Sequence, residues 1–139
     1  MANWPKKVGD DTGHLADACA LIVFLAAEDP ERVMPNAAPI MRGGDVQVSP
    51  VTVWEITRKV ALGKLPAAWG NYPSLTLLLR AQGFIARPLA WDEAEQANRL
   101  PPLHKDPMDR MLIATAIRHD LTNITDDAVF AQYGVRTIW

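Results

Sequence analysis

Short apolar segments alternate along the chain with longer segments that have helical spacing. The short segments are rich in apolar residues and bounded by turn residues, as strands usually are. They predict strands at residues 14–18, 46–48, 84–89, 121–125 and 135–139. The longer segments predict helices at residues 20–27, 50–62, 72–82, 92–100, 107–119 and 127–133. Strands and helices therefore follow one another throughout, which favours a parallel, doubly wound α/β sheet.

Capping residues mark the ends of several of these helices. Ser49 and Pro50 supply an N-cap followed by a proline at the first helical position, and Gly63 is a natural stop. We expect Asp92 and Asp106 to cap the helices that follow them. The segment 31–45 contains prolines and a glycine pair, so any helix there should be short or broken.

The chain has 139 residues, of which 49% are hydrophobic and 22% charged. This is enough for one domain with its own core. Residues 1–13 are polar and contain glycine and proline, so they are interpreted as a flexible N-terminal extension, and residues 14–139 as the domain. The formal net charge is −2. That balance excludes a basic coat that binds nucleic acid by bulk charge, although local basic patches remain open.

A single cysteine, Cys19, excludes an internal disulfide and indicates a reducing compartment. We expect its thiol to be buried. No segment has the length and apolarity of a membrane span, so the expected location is the cytoplasm without membrane association. Trp54, Trp69, Trp91 and Trp139 are interpreted as core or interface rings.

Carboxylates follow the predicted strands at several places. They are Asp17, Glu55, Asp106, Asp109, Asp126 and Asp127. In a parallel sheet the carboxyl ends of the strands share one edge, where ligands bind. Crowded like charges repel each other unless a cation neutralises them. Mg²⁺ prefers oxygen ligands, and a water activated by such an ion can hydrolyse a phosphodiester.

Each carboxylate also has a purely structural interpretation. Asp106 before Pro107 is a good N-cap, and Asp127 could cap the next helix. Asp109 would be favoured by the helix dipole alone, and Glu55 could be a solvated helix position. Asp17 is harder to explain in this way, because it lies between apolar segments where an unpartnered charge is costly.

At this point the sequence resembles the PIN-domain proteins of the VapC type, the toxins of bacterial toxin–antitoxin pairs. The segments that carry the resemblance are LADACALIVFL (15–25), VSPVTVWEITRKVALGKL (48–65), DPMDRMLIATA (106–116) and ITDDAVFAQYGV (124–135). With their spacing they cover nearly everything from residue 15 to the end.

The resemblance implies a three-layer α/β/α fold with a central parallel sheet. It also implies an endoribonuclease dependent on Mg²⁺ or Mn²⁺, which forms a homodimer and is inhibited by a VapB-like antitoxin. By position, the family's four metal-binding acids match Asp17, Glu55, Asp109 and Asp127. Thr125 matches the threonine that precedes the last acid by two residues. Asp106 matches the leading aspartate of its motif and is interpreted mainly as a cap.

Two features depart from the family pattern. The family usually has a threonine or serine directly after the first aspartate, where this chain has Ala18. A hydroxyl there can support the metal ligands, so its absence bears on metal affinity. In addition, 16 residues precede Asp17, whereas the family usually begins only a few residues before this position.

Basic residues lie close in sequence to the acidic ones. Arg58, Lys59, Lys64, Lys105 and Arg110 could contact RNA phosphates. The alternatives are that the first two are solvated helix residues and that Arg110 pairs with a carboxylate. His104 precedes the helix at 107–119 and is a weaker candidate for substrate contact. A metal-activated water needs no histidine as general base.

Two other functional classes share features with this sequence. A phospho-receiver domain is also an acidic α/β protein, but it needs a lysine after a late strand, and no lysine follows Lys105. A catalytically degenerate PIN-like protein that binds RNA or an antitoxin without cutting is the main alternative, and Ala18 favours it.

Overall fold

A computed structural model describes residues 13–67 and 69–139. Five strands form one sheet in which every neighbouring pair is parallel, in the order β3-β2-β1-β4-β5. The strands are β1 His14–Ala16, β2 Gln47–Val48, β3 Ile85–Ala86, β4 Thr122–Ile124 and β5 Thr137–Ile138. Each lies within a segment predicted to be a strand, and the parallel arrangement is confirmed.

Helices connect the strands along the described chain. They are α1 Ala18–Ala26, α2 Pro30–Val33, α3 Ala38–Arg42, α4 Pro50–Ala61, α5 Leu75–Ala81, α6 Trp91–Ala97, α7 Pro107–His119 and α8 Val129–Gln132. The prolines and glycines of segment 31–45 leave room only for the short helices α2 and α3. The ends of α4 and α7 agree with the prediction to within one residue.

The sheet separates two hydrophobic clusters, one on each face. Leu15 packs into the cluster that includes Ile113 and Phe130, from α7 and α8. The next residue, Ala16, packs into the opposite cluster with Leu21 and residues of α3 and α5. Successive strand residues point to opposite faces, so β1 is buried on both sides. This is the three-layer α/β/α architecture that the sequence predicted.

Side-chain caps position the helices that carry the acidic residues. Ser49 Oγ accepts a hydrogen bond from the Val51 N–H at 3.1 Å, and Asp106 Oδ1 accepts one from the Met108 N–H at 2.8 Å. Both caps were predicted. They fix the first turns of α4 and α7. Asp109 projects from the first turn of α7, and Glu55 from the second turn of α4.

The predicted cap at Asp92 is wrong. Helix α6 begins at Trp91 with Ala90 in the N-cap position, and Glu93 Oε2 accepts a hydrogen bond from the Ala90 N–H at 3.0 Å. A glutamate at the third helical position can satisfy this amide, so no capping side chain before the helix is required. Asp92 instead lies 3.4 Å from Arg118.

Cys19 is more exposed than predicted, and two of the tryptophans expected in the core or at an interface lie outside the core. The thiol of Cys19 is exposed, because α1 buries Ala18, Ala20 and Leu21 on the sheet side. Trp54 is 50% exposed and Trp91 96% exposed, so neither ring belongs to the core.

Most of the predicted N-terminal extension, residues 1–12, lies outside the described residues. Within residues 13–67 and 69–139, every helix is too short or too polar to span a bilayer.

Candidate metal centre

Acidic residues meet at the carboxyl edge of the sheet because three adjacent strands end there. Asp17 directly follows β1, and Asp127 comes three residues after the end of β4. Glu55 lies in the second turn of α4, the helix that follows β2. Since β2, β1 and β4 are neighbours and parallel, their following segments converge on one region.

Asp109 is shared by two groups of candidate ligand atoms. Carboxylate oxygens of Glu55, Asp106 and Asp109 lie within 4.8 Å of one another. In the second group, ligand atoms of His104, Asp109 and Asp127 also lie within 4.8 Å of one another. Asp109 of helix α7 is therefore the residue that links Glu55 of α4 to Asp127, which follows β4.

Burial and crowding favour the protonated form of Asp109. They raise the pKa of its carboxyl to about 7, first through loss of solvent and then through the charge of Asp106. His104 acts in the opposite direction, whereas Asp17 and Glu55 add to the rise. A carboxylate with this pKa is held in an environment that lacks positive charge, which a bound cation would supply.

Asp17 is the most buried of the four family acids, with 5% of its surface exposed. Burial raises the pKa of its carboxyl to about 6, and hydrogen bonds from Thr125 and the Ala20 N–H oppose the rise. The Ala20 bond, 2.8 Å long, also makes Asp17 the N-cap of α1. Asp17 belongs to neither group of candidate ligands, but its charge adds to the rise in the pKa of Asp109, and the charge of Glu55 acts in the same direction on both carboxyls.

His104 lies between two of the acids, and sequence reasoning gave it too little weight. Its Nε2 is 2.9 Å from Asp109 Oδ2 and 3.0 Å from Asp127 Oδ2. Its Nδ1 accepts a hydrogen bond from the Asp106 N–H at 3.3 Å. An acceptor at Nδ1 places the proton of a neutral imidazole on Nε2, which then donates to the carboxylates.

Comparison with known proteins decides the family. The family profile of the PIN domain matches residues 15–135, which is most of the chain. The chain belongs to the PIN domain family. Among curated proteins, no sequence relative matches it.

Solved structures share the fold of this PIN domain. VapBC2 from Rickettsia felis, bound to a DNA fragment of its promoter, is 12% identical with a TM-score of 0.67, covering 89% of this chain and 96% of its own. FitAcB from Neisseria gonorrhoeae is 23% identical with a TM-score of 0.58, covering 91% and 96%. VapC20 from Mycobacterium tuberculosis, described as a toxin that cleaves the sarcin–ricin loop, is 15% identical with a TM-score of 0.62, covering 88% and 96%.

Within this PIN domain, Arg110 holds a loop together. Its Nε donates to the carbonyl of Ala97 at 3.0 Å and its Nη2 to that of Leu100 at 2.8 Å. Its Nη1 donates to the carbonyls of Pro101 and His104, both at 3.0 Å. With its donors engaged by these carbonyls, Arg110 is assigned to the loop and not to the phosphate contact or carboxylate pairing expected from the sequence.

Tyr133 holds the same loop beside Arg110, whose Nη1 lies 3.4 Å from its hydroxyl. Its hydroxyl donates to the carbonyl of Pro101 at 2.6 Å and accepts from the backbone N–H groups of Leu103 and His104 at 3.1 and 2.9 Å. The ring is buried, with 1% of its surface exposed. Arg110 and Tyr133 together set the position of the His104 imidazole.

The remaining predicted residues lie around the acids in different roles. Thr125 is buried, and its Oγ1 accepts a hydrogen bond from the Asp127 N–H at 3.1 Å. Lys59 Nζ lies 3.4 Å from Glu55 Oε2. The guanidinium of Arg58 lies 5.3 Å from the centre of the Trp54 ring, and Lys105 is exposed on the loop before α7. Sequence reasoning did not anticipate the Trp54–Arg58 pair.

Proposed function

We propose that this PIN domain is a metal-dependent endoribonuclease and the toxin of a toxin–antitoxin pair. The observation that carries the proposal is the convergence of Asp109 with Glu55 on one side and Asp127 on the other, beside the buried Asp17. The pKa values of Asp17 and Asp109 are raised, first by burial and then by neighbouring carboxylates. A cation would relieve the repulsion among these carboxylates.

The donor set fits Mg²⁺ or Mn²⁺. The ligands would be Asp17, Glu55, Asp109 and Asp127, all of them hard oxygen donors of the kind these ions prefer. A bound divalent ion would stabilise charge on the scissile phosphate and make water a stronger nucleophile at neutral pH. His104 supports the arrangement through its Nε2–H, which donates hydrogen bonds to the carboxylates of Asp109 and Asp127.

The nearby cations would hold the RNA backbone. Arg58, Lys64 and Lys105 are exposed, and Lys59 remains accessible although it pairs with Glu55. Phosphate contacts of this kind position a nucleic acid without reading its sequence. The backbone would then present one phosphodiester to the acidic centre.

The toxin role is supported by the neighbours in structure. One of them is a toxin that cleaves the sarcin–ricin loop, and VapBC2 is bound to promoter DNA. We infer that this chain likewise acts on RNA in the cytoplasm and forms a homodimer neutralised by a VapB-like antitoxin.

A degenerate PIN domain that binds RNA or an antitoxin without cutting is the second candidate. It is favoured by Ala18, which provides no hydroxyl next to Asp17, and by the use of Asp17 Oδ1 as a helix cap. The two candidates differ in one measurable property, which is metal binding at the acidic centre.

The test is RNA cleavage by the purified protein with Mn²⁺ and with EDTA, followed by mapping of the new 5′ ends. We expect cleavage that EDTA abolishes and that Asp17→Asn and Asp109→Asn both lose. Asp92→Asn is the matched control, because it removes an exposed carboxylate from the first turn of α6. Intact RNA together with weak or undetectable Mn²⁺ binding would favour the degenerate candidate, and cleavage that survives both chelation and Asp109→Asn would exclude the proposed mechanism.

A further inference from the structure

A groove opens next to the acidic centre, between α4 and the beginning of α7. It has a volume of about 280 Å³ and is lined by Trp54, Glu55, Arg58, Lys59, Lys64 and Asp106, among others. This is close to the lower end of the range of about 300–1,000 Å³ that small-molecule sites occupy. The groove therefore has room for one small ligand unit and not for a folded partner.

One end of the groove is part of the proposed metal centre. Glu55 and Asp106 line it, and their carboxylate oxygens lie within 4.8 Å of each other and of an oxygen of Asp109. A ligand in the groove would thus lie directly beside a group bound at Glu55, Asp106 and Asp109. For a polymeric substrate, that neighbour is the next unit of the same chain.

An exposed aromatic surface forms another part of the groove. Trp54 is 50% exposed although most of the large apolar side chains of the domain are buried. Arg58, one helical turn later, places its guanidinium 5.3 Å from the centre of the indole ring. This cation–π contact restrains both side chains, so the flat surface that they offer is already formed.

The charge of the groove favours a nucleic acid over an apolar peptide. In the described part of the chain, Arg58 and Lys64 have no acidic partner within ion-pair distance. Lys59 adds a third cation, bound to Glu55 at 3.4 Å. Cations beside an exposed tryptophan are the combination that binds single strands, with the backbone held by charge and a base stacked on the ring.

We propose that this groove is a nucleotide subsite, in which a base adjacent to the scissile phosphate stacks on Trp54 and a flanking phosphate contacts Arg58 and Lys64. A base inside a duplex has no free face to offer, so the subsite selects unpaired RNA. The inference rests on the proposed ribonuclease function and specifies which form of RNA the domain accepts.

The experiment measures RNA binding separately from cleavage. A short fluorescein-labelled single-stranded RNA is titrated with the protein in EDTA, and anisotropy gives the Kd of the wild type and of Trp54→Leu. We expect Trp54→Leu to weaken binding by about 5- to 150-fold, equivalent to the ~1–3 kcal/mol of one stacked base. Trp54→Phe should recover most of the affinity, because a phenyl ring still stacks.

Trp91→Leu is the matched control. Trp91 is 96% exposed at the start of α6 and does not line the groove, so this variant removes an exposed tryptophan elsewhere and should bind RNA as the wild type does. The same RNA annealed to its complement should bind more weakly than the single strand, and Trp54→Leu should change its Kd little. Circular dichroism of each variant verifies that the fold is kept.

A second readout locates the stacked base. The fluorescent adenine analogue 2-aminopurine is placed at successive positions of the RNA, and its emission is quenched where the base stacks. We expect quenching at the position next to the cleavage site in the wild type and its loss in Trp54→Leu.

Each outcome separates the subsite from the nuclease. If Trp54→Leu binds RNA with wild-type affinity and quenches as the wild type does, the subsite proposal is overturned. The ribonuclease proposal is not affected by that result, and a protein segment becomes the remaining candidate ligand of the groove. Equal weakening of single-stranded and duplex RNA would also overturn it. Selective loss of binding in a protein that fails to cleave RNA with Mn²⁺ would support the subsite and refute the nuclease.

Discussion

Asp109 is the residue on which the electrostatics of the acidic centre converge. Its carboxylate lies with Glu55 and Asp106 on one side and with His104 and Asp127 on the other. Repulsion from neighbouring carboxylates destabilises its charged form in the metal-free protein. The carboxylates that repel one another would all attract a cation. Asp109 therefore lowers the stability of the metal-free fold and also favours binding of the metal.

Replacing Asp109 should therefore have opposite effects on activity and stability. In Asp109→Asn we expect cleavage with Mn²⁺ to fall by more than ~100-fold, since even residues behind the ligands cost ~10–100-fold in such sites. Because a crowded charge is removed, the Tm of the metal-free protein at neutral pH should rise. Calorimetry in EDTA and a cleavage assay measure the two effects. A variant that loses activity together with stability would show that Asp109 is chiefly structural.

His104 should act through the position of its Nε2 proton. Glutamine can place an N–H near the Nε2 position, whereas the shorter asparagine side chain places it near Nδ1. We expect His104→Gln to keep Mn²⁺ affinity within a few-fold of wild type and His104→Asn to lose ~10–100-fold, the usual cost of a residue that orients metal ligands. Isothermal titration calorimetry gives both affinities, and equal losses in the two variants would contradict the assignment.

At the scale of elements, the loop between α6 and α7 is held by two side chains, one from α7 and one from the residue after α8. Arg110 of α7 donates to three carbonyls of the loop, those of Leu100, Pro101 and His104. It also donates to the carbonyl of Ala97 at the end of α6. Tyr133, directly after α8, binds the loop at Pro101, Leu103 and His104. The loop has no regular structure of its own, so these bonds decide where its imidazole lies.

Tyr133→Phe tests this role of the loop. The change removes one hydroxyl and leaves the partly buried N–H of His104 without its acceptor, whereas the Leu103 N–H keeps its bond to the Pro101 carbonyl at 2.8 Å. We expect the free energy of unfolding to fall by ~1–3 kcal/mol, the cost of a buried donor left unsatisfied. Urea denaturation measures it, and hydrogen exchange should become faster at the His104 amide. Tyr72→Phe is the control, because Tyr72 is 40% exposed, and it should leave stability unchanged.

At the scale of the whole molecule, the acidic centre makes stability depend on pH. The pKa values of Asp17 and Asp109 are raised from 3.8 to about 6 and about 7. A carboxyl with a raised pKa in the folded state contributes stability that is fully present below its unfolded pKa. That contribution is lost as the pH rises through the folded pKa.

We therefore expect the Tm of the metal-free protein to decrease as the pH rises from about 5 to about 8, relative to Asp109→Asn. With saturating Mn²⁺ the dependence should weaken or reverse, because the ion binds the deprotonated acids of the folded state. Thermal melts across this range, in EDTA and in Mn²⁺, measure both trends. A metal-free Tm that rose with pH as steeply in the wild type as in the variant would contradict the raised pKa values.

The net charge of the molecule also has to be considered together with this centre. The formal charge of −2 includes the four family acids. Two bound divalent ions would bring it to +2, so the negative balance belongs to the metal-free state. The charge still excludes binding by bulk attraction, and recognition of RNA falls to local groups such as those of the groove.

The sequence by itself determined the order of the elements, the parallel sheet and most of the helix caps. These features depend on local signals, namely apolar alternation, prolines at first helical positions and capping side chains such as Ser49 and Asp106. The motifs at 15–25, 48–65, 106–116 and 124–135 also indicate the PIN family, which the family profile confirms. Local signals gave the wrong cap at Asp92, because the side chain of Glu93, inside the helix, accepts the hydrogen bond from the N–H of the N-cap residue Ala90.

Only the tertiary structure decided which side chains meet across the molecule. Three features depend on how α1, α4, α7 and the loop before α7 pack on the sheet. They are the bonds of Arg110 to the loop, the position of His104 between Asp109 and Asp127, and the exposure of Cys19 and Trp54. Residues such as His104 and Asp127 are far apart in the chain, and no local periodicity relates their positions. Their distance is set by the sheet order and by the packing of both faces, which the sequence encodes only through the fold as a whole.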